Sequence, residues 1–175
     1  MKAIIDTNVL LVANGLHSDV STECIDVCIR RLAAMEKNGV TVIDDGFRIL
    51  GEYQHKTKNP PKGVGDVFLK ALLRNSGNSM RVELVSLTEL APNQYAEFPD
   101  PTLQSLFDPP DRKFAAVANA HPEKPPIWQA ADCKWLDWWP ALQAKGIRVE
   151  FLCPDDVCAF YSKKFPEKTL PVLPD

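Results

Sequence analysis

Short apolar runs alternate with segments of helical period along this chain, and that alternation restricts its fold more than any other feature. The runs are Ala3-Ile4-Ile5 in "KAIIDTNVLL", then "VTVIDD", "RVELVSL", "PPIWQAAD" and "IRVEFLCP". Between them, Cys24, Val27, Cys28, Leu32 and Met35 share one face of a helix that Ser21 or Asp19 can cap and Asn38-Gly39 can stop. "GFRILGEYQHKTKN" and "GDVFLKALLRNSG" are further helices, the second with Asp66 as a cap. "DRKFAAVANA" is a strong helix former, and "WLDWWPALQAKG" is a helix interrupted near Pro140. The order β-α-β-α-α-β-α-β-α-β predicts an α/β fold, a mainly parallel central sheet with helices on both faces.

In such sheets ligands bind beyond the carboxyl ends of the strands. Asp6, Asp44-Asp45 and Asp132 fall at those ends. Asp6 is the sharpest case, because it interrupts a segment that otherwise reads as buried strand. An ion there is costly unless it is paired, hydrogen-bonded or bound to metal. Glu52, on the helix after the second strand, and Asp111, at a helix start, can reach the same edge. Several carboxylates in one cleft repel each other unless cations intervene, and hard-oxygen coordination suits Mg²⁺ or Mn²⁺. The matching chemistry is phosphodiester hydrolysis. Each acid also has a plainer reading: Asp111 as a helix cap, Glu52 as a solvated helix residue, Asp132 as a turn residue. No phosphate-cradling glycine loop or dinucleotide fingerprint competes; "GVGD" at 63–66 lacks the lysine and spacing.

Four separated motifs, in order from Ala3 to Pro154, resemble those of the PIN-domain nucleases: "IIDTNVLL", "VIDDGFRILGEY", "FDPPDRKFAAVA" and "QAADCKWLDW". The resemblance implies a three-layer α/β/α sandwich and Mg²⁺- or Mn²⁺-dependent cleavage of RNA. Asp6, Glu52, Asp111 and Asp132 would form the acidic, metal-binding and catalytic cluster, supported by Thr7 and Asn8. Lys134 stands where many relatives carry a second acid, and Asp137 is the nearest substitute. Many relatives are toxins held by an inhibitory antitoxin partner, and homodimers are common among them. A non-catalytic RNA- or protein-binding module of the same fold is the alternative. A phosphatase using Asp6 as nucleophile is disfavoured, since Asn8 stands where a second aspartate is needed.

Lys56, Lys58 and Lys62, with Lys70 and Arg74, make a basic run beside Glu52; with Lys134 they are candidates for phosphate contact. Trp135, Trp138 and Trp139 read as core, with one exposed ring free to stack on a base. A net charge of −3 argues against a general nucleic-acid coat protein. The chain of 175 residues reads as one domain over 1–160. A proline-rich loop or insertion is expected at about 91–110, and an extended or disordered tail at 161–175. No apolar run approaches the ~20 residues of a membrane span, and no signal segment opens the chain, so the expectation is a cytoplasmic protein without a membrane. The five cysteines make no C-x-x-C pair and read as buried thiols.

Overall fold

The computed structural model describes residues 1–174. Its sheet is built from β1 (Lys2–Ile5), β2 (Val40–Asp44), β3 (Val82–Val85), β6 (Ile127–Gln129) and β7 (Val149–Phe151), all parallel, in the order β3-β2-β1-β6-β7. Two further short strands, β4 (Glu89–Ala91) and β5 (Gln94–Tyr95), form a separate antiparallel hairpin. Helices cover the sheet as a three-layer α/β/α sandwich: α1 (Thr7–Ala13), α2 (Thr22–Asn38), α3 (Arg48–Lys56), α4 (Val64–Arg74), α5 (Pro101–Gln104), α6 (Arg112–Ala120), α7 (Trp135–Ala144) and α8 (Pro154–Lys164). The central strands bury nearly every residue, as parallel strands covered on both faces must. No helix among the described residues is long and apolar enough to cross a membrane.

The chain winds outward from β1 through β2 to β3, then returns to lay β6 on the other side of β1. The strand order therefore reverses between β1 and β6, and the crevice at their carboxyl ends is where such sheets bind ligands. Ile5 lies opposite Trp128, so Asp6 leaves the sheet beside Gln129.

Several elements differ from the sequence expectation. The apolar run after Asp6 is helix, not strand: Thr7, Val9, Leu10, Val12 and Ala13 are all buried, which erases the amphipathic period. Helix α7 continues through Pro140, its sixth residue, which has no amide hydrogen to donate to the Leu136 carbonyl one turn back. Asp66 is not the N-cap of α4; it sits one turn in and accepts from the Gly63 amide at 3.2 Å. The glycines of "GVGD" serve packing, since a Cβ on Gly65 would lie 2.4 Å from the Leu10 carbonyl oxygen of α1. The 91–110 segment carries β5 and α5 and buries Tyr95, Phe98 and Phe107. The start of the expected tail is helical, because α8 runs on past Phe160 to Lys164 and buries Tyr161. The segment after it docks on the domain: Trp139 Nε1 donates to the Val172 carbonyl at 3.1 Å, and Leu173 packs against the small cluster of Cys133, Leu136, Val157 and Tyr161. Asp175, the end of the expected tail, lies outside the described residues.

The cysteines also depart from expectation. Cys24 and Cys153 form a disulfide across 129 residues, a pairing that only the packing of α2 against the start of α8 creates. Cys28, Cys133 and Cys158 remain thiols.

Candidate active site

Asp6 ends β1 and caps α1. Its amide donates to the Trp128 carbonyl at 3.0 Å, and its Oδ1 accepts from the Asn8 amide at 2.9 Å and from Asn8 Nδ2 at 2.7 Å. Asn8 in turn clamps the end of β6. Its Oδ1 accepts from the amides of Ala130 (2.9 Å) and Ala131 (3.3 Å), and its Nδ2 also donates to Gln129 Oε1. Gln129, fully buried and absent from the sequence reading, accepts from the Asp132 amide at 3.4 Å. One amide side chain thus ties the strand that delivers Asp6 to the turn that delivers Asp132.

Glu52 is set by α3, which Tyr53 anchors by donating its hydroxyl to the Ile5 carbonyl. Asp111 closes a 3₁₀ turn, Pro109–Asp111, ahead of α6 and makes no side-chain cap bond, so helix capping does not account for it. Together Asp6, Thr7, Asn8, Glu52, Asp111 and Asp132 line one open cleft of about 670 Å³.

The charge in this cleft is unevenly balanced. Thr7 Oγ1 donates to Glu52 Oε1 and the Lys113 ammonium to Glu52 Oε2. Lys113 is only 5% exposed and also donates to the Pro110 carbonyl, so Glu52 is the acid already neutralised by the chain itself. Asp6 is the opposite case. It is 4% exposed, and among the described residues its Oδ2 has no hydrogen-bond partner. Burial, then the neighbouring Asp111 carboxylate, pushes the Asp6 carboxyl well above its usual range against the pull of the Asn8 amide. Burial and then Asp132 raise Asp111 to about 7, with Lys113 pulling the other way. Among the described residues no three carboxylates bring oxygens within 4.8 Å of one another; the group of three that meets this spacing is Cys24, Cys28 and Cys153, elsewhere in the molecule.

Of the basic candidates, Lys56 lines the cleft. Lys62 does not: its ammonium is held by the Thr57 and Lys58 carbonyls and by Asp66, closing the end of α3. Lys58 is exposed outside the cleft. The Lys134 ammonium pairs with Asp108. Asp137 is also outside, accepting from the Tyr161 hydroxyl at 2.5 Å and pairing with Lys168 at 3.3 Å. Trp135 and Trp138 are buried around Phe107, and Trp139 bonds Val172, so no tryptophan lines the cleft.

The sequence reading missed the opposite wall. His17, stacked on Phe160 at 5.3 Å, lines it together with Lys163 and Lys164. Phe160 and the two lysines belong to α8, whose signature is legible afterwards: Pro154 at the first turn, Asp155-Asp156 behind it, and Lys163-Lys164 at the end. Comparison with protein-family models, curated proteins and solved structures finds no match to this chain.

Proposed function

We propose that the chain is a metal-dependent ribonuclease of the PIN-domain kind that its four motifs resemble, acting in the cleft at the β1–β6 crevice. The observation that carries this reading is the Asp6 carboxylate: buried, repelled by Asp111 and Asp132, and left with a bare oxygen in an open cleft. A carboxylate so placed is unstable as an anion unless a cation joins it. The donor set is all oxygen. Mg²⁺ keeps several waters and takes one or two carboxylates directly, which suits aspartates that are not drawn tightly together. Asp6, Asp111 and Asp132 would hold Mg²⁺ or Mn²⁺. The chemistry such an ion supplies is activation of water and neutralisation of charge on a phosphodiester.

The chain's own residues do the rest. Asn8 fixes the rotamer of Asp6 and its distance from Asp132. Lys113 cancels the charge of Glu52 and holds it against Thr7, which makes Glu52 a positioning residue rather than a ligand. Lys56, Lys163 and Lys164 stand where a polyanion enters, and the His17–Phe160 stack offers an aromatic face to an unpaired base.

The test is cleavage of labelled single-stranded RNA by the full chain with Mn²⁺ or Mg²⁺ against EDTA, beside Asp6→Asn. Cutting that needs the metal and vanishes in a folded Asp6→Asn variant is the expected result. Equal turnover in that variant overturns the assignment. RNA binding without cutting, under every metal tried, favours a non-catalytic module.

A further inference from the structure

Away from the β1–β6 crevice, three sulfurs meet where α2 packs on the start of α8. Cys24 and Cys28 are one turn apart on α2, and Cys153 is the N-cap of α8. All three are buried, at 3%, 0% and 5% exposure. Cys24 and Cys153 are bonded, and Cys28 Sγ lies 3.9 Å from Cys153 Sγ. A metal with ~2.3 Å bonds to sulfur separates its thiolate ligands by roughly 3.8–4.0 Å. The Cys28–Cys153 pair already has that spacing, and opening the Cys24–Cys153 bond leaves the third sulfur in the same cluster. A small pocket of about 170 Å³ opens beside the disulfide, lined by Glu23, Asp155 and Asp156 as well as Cys24 and Cys153. Its acidic rim favours a cation and gives a fourth ligand, water or carboxylate, a place to stand.

We infer that Cys24, Cys28 and Cys153 form a sulfur site with two states: a disulfide with one spare thiol when oxidised, and a binding site for one thiophilic cation of the Zn²⁺ class when reduced. Reduction breaks the Cys24–Cys153 bond. A dithiol supplies two electrons and two protons and becomes a disulfide itself. Cation binding then releases thiol protons to solvent, because the ligands are thiolates. In the oxidised chain, burial, with Asp156 adding to it, pushes the Cys28 thiol up to about 12.

Both states join the same two helices. Ser21, the cap of α2, also donates to Asp156 on α8 at 2.9 Å through both its amide and its hydroxyl. The helix fixed by this junction carries Phe160, Lys163 and Lys164, and the loop entering α2 carries His17. The sulfur site therefore sets the wall of the cleft, whatever the cleft does.

The experiment uses the full chain, reduced under argon and freed of reductant, titrated with Zn²⁺ and, for its spectrum, with Co²⁺. One thiolate-bound cation per chain is expected, read from the thiolate-to-cobalt charge-transfer band and its displacement by Zn²⁺, with any cation held by the carboxylate cleft giving no such band. Cys28→Ala, which leaves two of the three thiolates, should diminish the band and weaken Zn²⁺ binding by at least the roughly tenfold that losing even an outer-shell partner costs. Cys158→Ala, outside the cluster, should change neither. A control needs no variant: the oxidised chain, with two sulfurs in the disulfide, should give no band. Co²⁺ binding without a thiolate band, no binding at all, or a band that persists in the oxidised chain overturns the inference.

Discussion

Asp6 and Asp44 stand at the carboxyl ends of neighbouring parallel strands, both are buried, and both precede a helix. Their surroundings differ in every other respect. Asp44 accepts from the amides of Arg48 and Ile49, each at 2.9 Å, and from the Arg48 guanidinium at 3.3 Å, so both of its oxygens hold α3 in place. Asp6 takes both its bonds on one oxygen, from Asn8, and leaves the other bare. Its neighbours are carboxylates where those of Asp44 are amides and a cation. A buried carboxylate with its bonds complete is a structural part; one held short of them, among like charges and open to a cleft, is stable only with something added. The contrast separates the two roles without reference to any other protein.

The sharpest way to break the comparison is to neutralise each member. Asp6→Asn should cut metal-dependent RNA cleavage about a thousandfold or more, while its Tm in EDTA stays level or rises, since the change removes a destabilising charge. Asp44→Ala should do the reverse. Loss of a helix cap and a buried, charge-assisted acceptor costs roughly 2–4 kcal/mol, or about 5–15 °C in Tm for a domain of this size, with Mn²⁺ affinity unchanged. Thermal unfolding in EDTA and Mn²⁺ titration settle both. Tm shifts of the same sign and size would collapse the distinction.

How much of this was legible in the sequence follows from the same pair. That Asp6 and Asp44 stand at strand ends, and Asp132 just beyond one, could be read from short apolar runs, because parallel strands covered on both faces are built mainly of apolar residues. Which aspartate is satisfied could not: the amides that complete Asp44 are ordinary local backbone, whereas Asn8 reaches Asp6 locally and β6 across more than a hundred residues. Lys113 was in plain view two residues beyond Asp111, yet its pairing with Glu52 depends on how α6 crosses α3. Asp137 and Lys62 were drawn toward the site by proximity in sequence, and packing turned them elsewhere. The disulfide partners lie 129 residues apart with no spacing rule to join them.

A smaller effect, in pH, sharpens the comparison further. Asp111 belongs with Asp6: its carboxyl is raised from 3.8 to about 7. The folded chain therefore holds this proton where the unfolded chain has lost it, so its contribution is present at low pH and declines as pH rises from about 4 to about 7. The Tm of Asp111→Asn in EDTA should match the parent near pH 4 and exceed it by the equivalent of roughly 1–3 kcal/mol above pH 7. Mn²⁺ affinity of the parent should climb through the same window, as protons stop competing. A Tm gap that is flat in pH would mean that neither burial nor the neighbouring carboxylates raise Asp111.

The smallest expected effects come from the cations beside each aspartate. Arg48 is fixed between Asp44 and Glu89, the latter at 3.0 Å, and lies outside the cleft. Lys163 and Lys164 line the cleft that Asp6 occupies. Arg48→Ala should therefore change stability by about 1 kcal/mol or less and leave RNA binding alone. Lys163→Ala with Lys164→Ala should leave Tm alone and lower single-stranded RNA affinity several-fold at low salt. Every lysine–phosphate pair so removed should flatten the slope of log affinity against log salt by about 0.7. Binding measured at several salt concentrations with catalysis disabled by Asp6→Asn reads this without cleavage. If the slope is unchanged in the double variant but falls in Arg48→Ala, nucleic acid runs along the β2 side, and Asp44 rather than Asp6 faces the ligand.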